Sequence, residues 1–221
     1  MKYIIITKCV WEKKNYKKIK NILVINKLNK KLIKKIKPKI IFFIHWSNMI
    51  DKSIYNKYLC IQFHCSNLPK GRGGSPIQNQ IIRGIKNTKL SAFKVSKKLD
   101  SGPVCLKENL SLRGNGLDIL IRLERKSIDM IKKITKMKQI VFSKQIGKPT
   151  FFKRRTKKQS KINIKSFNSV SKLYDFMRML DAPGYPNAYF ELNKFKLSFN
   201  NLKFTKNAIY ANTIIKKNVK K

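Results

Sequence analysis

Acid–base chemistry has few places to occur in this chain. Its 221 residues carry 52 Lys and Arg but only 10 Asp and Glu and 2 His. Those few carboxylates must supply every acidic donor, base and carboxylate metal ligand, and His45 and His64 leave almost no room for a multi-histidine metal site. The four cysteines, Cys9, Cys60, Cys65 and Cys105, contain no C-x-x-C pair and no zinc-ligand spacing. No metal is therefore expected. The cysteines lie mostly in apolar, strand-like runs, which predicts buried free thiols and suits a reducing cytosol. One histidine–carboxylate constellation stands out. His64 ends the apolar run Tyr58–His64, ahead of the turn-forming loop Asn67-Leu68-Pro69-Lys70-Gly71-Arg72-Gly73-Gly74. Asp100 opens the turn Asp100-Ser101-Gly102-Pro103. In an α/β sheet a polar residue at the C-terminal end of a strand points into the ligand crevice, and a turn can return a carboxylate to the same place. Such a pair lets the carboxylate orient the imidazole and stabilise imidazolium, which is the chemistry of proton transfer. Taken alone, a histidine at a strand end is more often structural.

The elements that must hold these groups follow from hydrophobic pattern. Tyr3–Thr7, Asn21–Asn26, Lys39–Ile44 and Tyr58–His64 are short β-branched or aromatic runs that predict strands. Between them, Leu32, Ile33 and Ile36 have helical spacing over Lys30–Ile36, and Pro38 ends that helix. Ser75-Pro76 predicts a helix start with Ser75 as N-cap, closed at Gly84. Leu90–Val95 and Val104–Leu106 predict further strands, and Leu117–Ile134 an amphipathic helix. Strands alternating with helices predict an α/β fold: a Rossmann-like, mainly parallel twisted sheet with flanking helices. The texture changes after Gly147 and Pro149. A helix from an N-cap at Ser169 to Leu180 and short antiparallel strands over Tyr189–Phe204 predict a small C-terminal α+β unit. The expected division is a domain over residues 1–149, a small one over 150–215 and a basic tail over 216–221.

The full pattern around His64 is more specific than the pair. His64-Cys65-Ser66-Asn67-Leu68-Pro69-Lys70-Gly71-Arg72-Gly73 fits H-x-S-x-L-P-x-x-R-G. It resembles the signature of the folate-dependent formyltransferases, which act on glycinamide ribonucleotide, methionyl-tRNA or amino sugars. Leu99-Asp100-Ser101-Gly102-Pro103-Val104 resembles their second signature, 36 residues beyond His64. The resemblance covers roughly residues 40–135. It implies direct transfer of a formyl group from 10-formyltetrahydrofolate to a primary amine. In that reading His64 stabilises the developing oxyanion and shuttles protons, and Asp100 positions the histidine and a water. Gln62 stands where the family has an oxyanion-binding Asn, with the same amide on a longer stem. Leu90, Ser91, Val95, Leu99 and Asp100 would line the pterin pocket, with burial the plainer reading for the neighbouring His45 and Trp46. Ser66, Arg72, Gly73 and Gly74 form the loop beside the acceptor, where Arg72 meets an anion or fixes the loop.

The resemblance continues beyond residue 150. Phe152-Lys153-Arg154-Arg155, Arg178-Met179-Leu180-Asp181 and Pro183-Gly184-Tyr185-Pro186 resemble the family's C-terminal domain, with a small β-barrel-like unit implied. Their wording looks closer to the sugar-modifying branch. The expected acceptor is therefore a nucleotide-linked 4-amino-4,6-dideoxyhexose, with initiator methionyl-tRNA second. A non-catalytic nucleic-acid-binding relative is the alternative of another class. The net charge of +42 attracts polyanions, and Lys153–Lys158 would grip a phosphate backbone. Yet Lys mixes here with abundant Ile and Asn, as AT-rich codons produce, so the charge says little about partners. Hydrophobic residues at 42% and aromatics at 10% exclude a disordered chain. The run Tyr3–Thr7 is cut off by Lys8 and no apolar run reaches membrane-span length, so a cytoplasmic enzyme without a membrane partner is expected.

Overall fold

The computed structural model describes residues 2–8, 13–16 and 19–217. Cys9 and the tail beyond Lys217 lie outside the described residues. Two compact units result. The first takes the chain up to Gly74, Thr88–Leu110 and Leu123–Phe152; the second takes Ser75–Asn87, Ser111–Arg122 and the chain from Lys153 onward.

The first unit is built on a six-stranded sheet. Its strands are β1 (Tyr3–Thr7), β2 (Ile22–Ile25), β3 (Ile40–Ile44), β4 (Leu59–His64), β6 (Asn87–Lys94) and β7 (Val104–Ser111), with β5 (Arg72–Gly73) set apart in a two-stranded ladder with β8 (Phe151–Phe152). The order is β2-β1-β3-β4-β6-β7. The pairs β1–β2, β1–β3 and β3–β4 are parallel, and β4–β6 is antiparallel. Both faces of the central strands are covered, so β1 and β3 are buried at every position and read as continuous apolar runs rather than alternating ones. Ile4, Ile6, Ile33, Ile41, Phe43 and Cys60 form one core cluster, each large apolar side chain contributing roughly 2–3 kcal/mol by leaving water. Burial also pushes the Cys60 thiol up to about 12.

Short helices connect the strands: α1 (Lys13–Tyr16), α2 (Lys30–Ile36) and α3 (Lys52–Tyr55). The start of α2 is fixed by Asn29, whose side chain accepts from Leu32 N at 3.0 Å. Its end is fixed by Lys37 in the left-handed region, donating to Ile33 O, just before Pro38. These boundaries match the sequence pattern. The strands β6 and β7 run longer than expected. In β7 the polar run Lys107-Glu108-Asn109 hides an edge strand that is mostly half-buried.

The second unit holds α4 (Pro76–Ile81), the first turns of α5 (Gly116–Lys136), α6 (Val170–Arg178) and a three-stranded antiparallel sheet. The sheet comprises β9 (Tyr189–Leu192), β10 (Phe195–Thr205) and β11 (Ala208–Lys217), in the order β11-β10-β9. Ser169 caps α6 by accepting from Lys172 N. One expected cap differs. Ser75 has φ +50 and makes no capping bond; its hydroxyl accepts from Arg155 N at 3.1 Å instead. The tail boundary also differs, since Lys216 and Lys217 pair with Lys196 and Phe195 in the sheet.

Arg178-Met179-Leu180-Asp181 is buried throughout. Arg178 donates Nη1 to Leu112 O (2.7 Å) and Gly114 O (2.6 Å). Asp181 accepts from Asn201 N (3.1 Å) and Leu202 N (2.9 Å). These residues hold the unit together. Among the described residues no helix is long and apolar enough to cross a membrane.

Candidate active site

His64 closes β4, and the loop that follows folds back over it. The ring is 6% exposed. Its Nε2 lies 2.7 Å from Gly71 O, and its Nδ1 lies 3.6 Å from Asp100 Oδ2. Both ring nitrogens thus face acceptors, one a carbonyl and one a carboxylate. Nε2 is within hydrogen-bond distance of its carbonyl, whereas the carboxylate stands just beyond that distance from Nδ1.

Asp100 reaches this place through a strained turn. It sits at φ +47, and Gly102 follows in a position where a Cβ would stand 1.7 Å from Lys94 O. No side chain fits there, which is the physical reason for glycine. Asp100 is 6% exposed, and Oδ2 also accepts from Gly73 N at 2.8 Å. One carboxylate oxygen therefore serves the imidazole and the Gly-rich loop together. Gly73 itself has φ +101, and a Cβ there would meet Phe152 O at 2.5 Å.

The other expected residues fall in the same unit. Ser91 is the direct partner of His64 across the antiparallel β4–β6 ladder, and its hydroxyl donates to Ser66 O at 2.7 Å. Leu90 and Ser91 are fully buried and Val95 nearly so, whereas Leu99 is half exposed. Ser66 is buried, and its hydroxyl has no partner among the described residues. Gln62 is two residues before His64 on the same face of β4. Its Nε2 is held loosely, 3.4 Å from Trp46 O. His45, half-buried at φ +50, has its ring pushed down to about 4 by burial. Arg72 donates Nε (3.2 Å) and Nη2 (2.6 Å) to Gln145 Oε1, so of its two expected duties this geometry displays the loop-fixing one. Gly74 donates to Phe152 O at 3.0 Å.

One contribution has no counterpart in the sequence reading. The segment from Ser143 to Phe152 ties the loop down: Thr150 accepts from Gly71 N through Oγ1 (2.8 Å) and from Arg72 N through its carbonyl (2.9 Å). A polar residue in a polar loop carries no periodic signal, so Gln145 and Thr150 were not legible. No group of three or more His, Cys, Asp or Glu placed to hold a metal occurs among the described residues.

Comparison with known proteins places this geometry in context. The family model described as Formyl transferase matches residues 5–115, and that of the methionyl-tRNA formyltransferase C-terminal domain matches residues 157–216. The chain is 33% identical over 171 residues to the methionyl-tRNA formyltransferase of Rickettsia prowazekii (strain Madrid E), covering 73% of this chain and 54% of that protein. The chain thus spans about half the length of the curated relatives it matches. The solved methionyl-tRNA formyltransferase from Clostridium thermocellum superposes with a TM-score of 0.93 at 38% identity, covering 99% of this chain and 100% of that one. A 4-N formyltransferase from Francisella tularensis, at 18% identity and a TM-score of 0.69 over 87% of this chain and 93% of that one, shares the fold.

Proposed function

The chain belongs to the formyl transferase family, and from that premise we propose that it transfers a formyl group from 10-formyltetrahydrofolate to the amine of initiator methionyl-tRNA. The observation that carries the reading is the buried His64–Asp100 pair, with the same Asp100 oxygen gripping the amide of Gly73. As an amine attacks a formyl carbon, negative charge develops on the formyl oxygen and a proton must leave the nitrogen. His64 takes that proton, and Asp100 Oδ2 stabilises the resulting imidazolium across 3.6 Å; as the tetrahedral species collapses, the bond from the formyl carbon to the folate nitrogen breaks and His64 returns the proton to that nitrogen, so tetrahydrofolate leaves. Gln62, on the same strand face, offers its amide N–H to the developing oxyanion; its long bond to Trp46 O is cheap to give up.

In this reading the donor lies along β6 and the Asp100 turn, beside Leu90, Ser91, Val95 and Leu99, with backbone groups rather than the buried side chains making polar contact. Ser66, Arg72, Gly73 and Gly74 form the wall nearest the acceptor. A division near residue 150 belongs to the proposal, supported by the separate matches of the two family models, with the C-terminal part extended to Lys217 by β11, and a cytoplasmic setting goes with it. Methionyl-tRNA takes the place of the amino-sugar nucleotide that the sequence put first. The relatives at 30% identity and above carry the tRNA name, while the sugar enzymes share only the fold.

His64→Ala tests the assignment of roles. Transfer should fall on the order of 100-fold or more with the melting transition retained. A variant that turns over near the wild-type rate would remove His64 from the mechanism.

A further inference from the structure

Across residues 143–150, hydrophobic logic is inverted. Ile146 is 90% exposed, whereas Gln145 beside it is turned inward, and every other residue of the stretch is exposed. Burial by apolarity alone would place Ile146 inside and Gln145 in water. What Gln145 gains is a complete set of partners. Its Nε2 donates one hydrogen to Asp100 O (2.9 Å) and the other to Gly102 O (2.8 Å), and its Oε1 accepts Nε and Nη2 of Arg72. Two donors and two acceptor sites are the whole capacity of a primary amide. The amide orientation is set by chemistry as well: reversed, it would aim N–H at a guanidinium and oxygen at two carbonyls.

The groups it joins are the two halves of the site. Asp100 and Gly102 bracket the strained turn that aims the carboxylate at His64. Arg72 lies between Gly71, whose carbonyl holds His64 Nε2, and Gly73, whose amide holds Asp100 Oδ2. We propose that Gln145 is a positioning residue for the formyl transfer proposed above, fixing the Asp100 turn and the Gly71–Gly73 loop at one relative position so that His64 keeps both partners. The proposal rests on that reading for its catalytic meaning, but its geometric content stands apart from any turnover.

The test therefore has two arms on the full chain. In the first, imidazole ¹⁵N spectra are recorded for wild type, Gln145→Ala, the isosteric Gln145→Glu and Asp100→Asn. The chain has two histidines, so the spectrum holds two ring sets. Both Gln145 variants should move the His64 set in the direction that Asp100→Asn moves it, and leave the His45 set in place. In the second arm, Gln145→Ala should lower kcat by roughly ten- to a hundred-fold, as misplacement of a reacting group does, with KM for the folate donor changed less than about twofold. In an Asp100→Asn background the same substitution should lower kcat by less than about twofold more, since both act through one group. His64 signals unmoved by either Gln145 variant overturn the inference. So does a Gln145→Ala loss that multiplies in full with Asp100→Asn. A wild-type chain without formyl transfer would defeat the proposed function alone, and the spectra would still judge Gln145.

Discussion

Asp100→Asn isolates the charge from the shape. The amide is isosteric, and its oxygen still accepts the Gly73 N–H, so the loop stays closed. That bond passes from charge-assisted to neutral, a loss of about 1 kcal/mol. The larger loss is electrostatic. Oδ2 is 3.6 Å from Nδ1, and the Asp100 side chain is 5% exposed. Two unit charges about 4 Å apart attract by about 4 kcal/mol at an effective dielectric near 20. This attraction exists only when the ring carries its second proton, so it acts on the transition state more than on the resting enzyme. Allowing for partial charge development, about 2–4 kcal/mol is lost, which converts to about 30- to 1000-fold in kcat/KM. Stability should change little. The assay is formyl transfer to methionyl-tRNA at fixed ionic strength, beside a thermal melt of each protein. A kcat/KM within about threefold of wild type, with the fold intact, would refute the reasoning.

Two further outcomes follow from buried groups. The His45 ring is held at about 4 against an ordinary 6.5, so below pH 6.5 the unfolded chain takes up a proton that the folded chain resists. Its contribution, about 2–3 kcal/mol at most, is present above pH 6.5 and is lost as pH falls towards 4. His45→Asn tolerates φ +50 and should flatten that limb in urea unfolding at neutral and acid pH; parallel losses in both proteins would exclude His45 as the source. Gly102→Ala drives a Cβ against Lys94 O, and the melting temperature should drop by about 10 °C with transfer abolished. A fully active, equally stable variant would show that the turn relaxes freely.

Much of this was legible in the sequence where one physical cause dominated. Tyr3–Thr7 and Ile40–Ile44 are apolar because both sheet faces are covered there, and Pro38 stops α2 because its ring forbids another turn. His64 was legible as the end of β4, and the glycine after Asp100-Ser101 marked a turn that no side chain fits. Other features depend on tertiary partners. β11 was unread because most of its residues are exposed and alternation stops after its first five positions. Ser75 looks like a cap by type, yet its hydroxyl is taken by Arg155, 80 positions away. Gln145 and Thr150 act on a loop more than 70 positions upstream, and nothing in their own neighbourhood announces it. Arg178 and Asp181 carry no local signal of their packing role either, because the backbone groups they bind lie 20 to 66 positions away.

The direct measurement offers purified chain 10-formyltetrahydrofolate with charged initiator methionyl-tRNA, and separately with a panel of nucleotide-linked 4-amino-4,6-dideoxyhexoses, across a salt series. Formyl-methionyl-tRNA is the expected product, with kcat/KM falling steeply with salt, by roughly three orders of magnitude between about 50 and 200 mM if some six phosphates are neutralised. No turnover of the sugars is expected. Formylated amino sugar with methionyl-tRNA untouched, or no transfer to either, would contradict the proposed function.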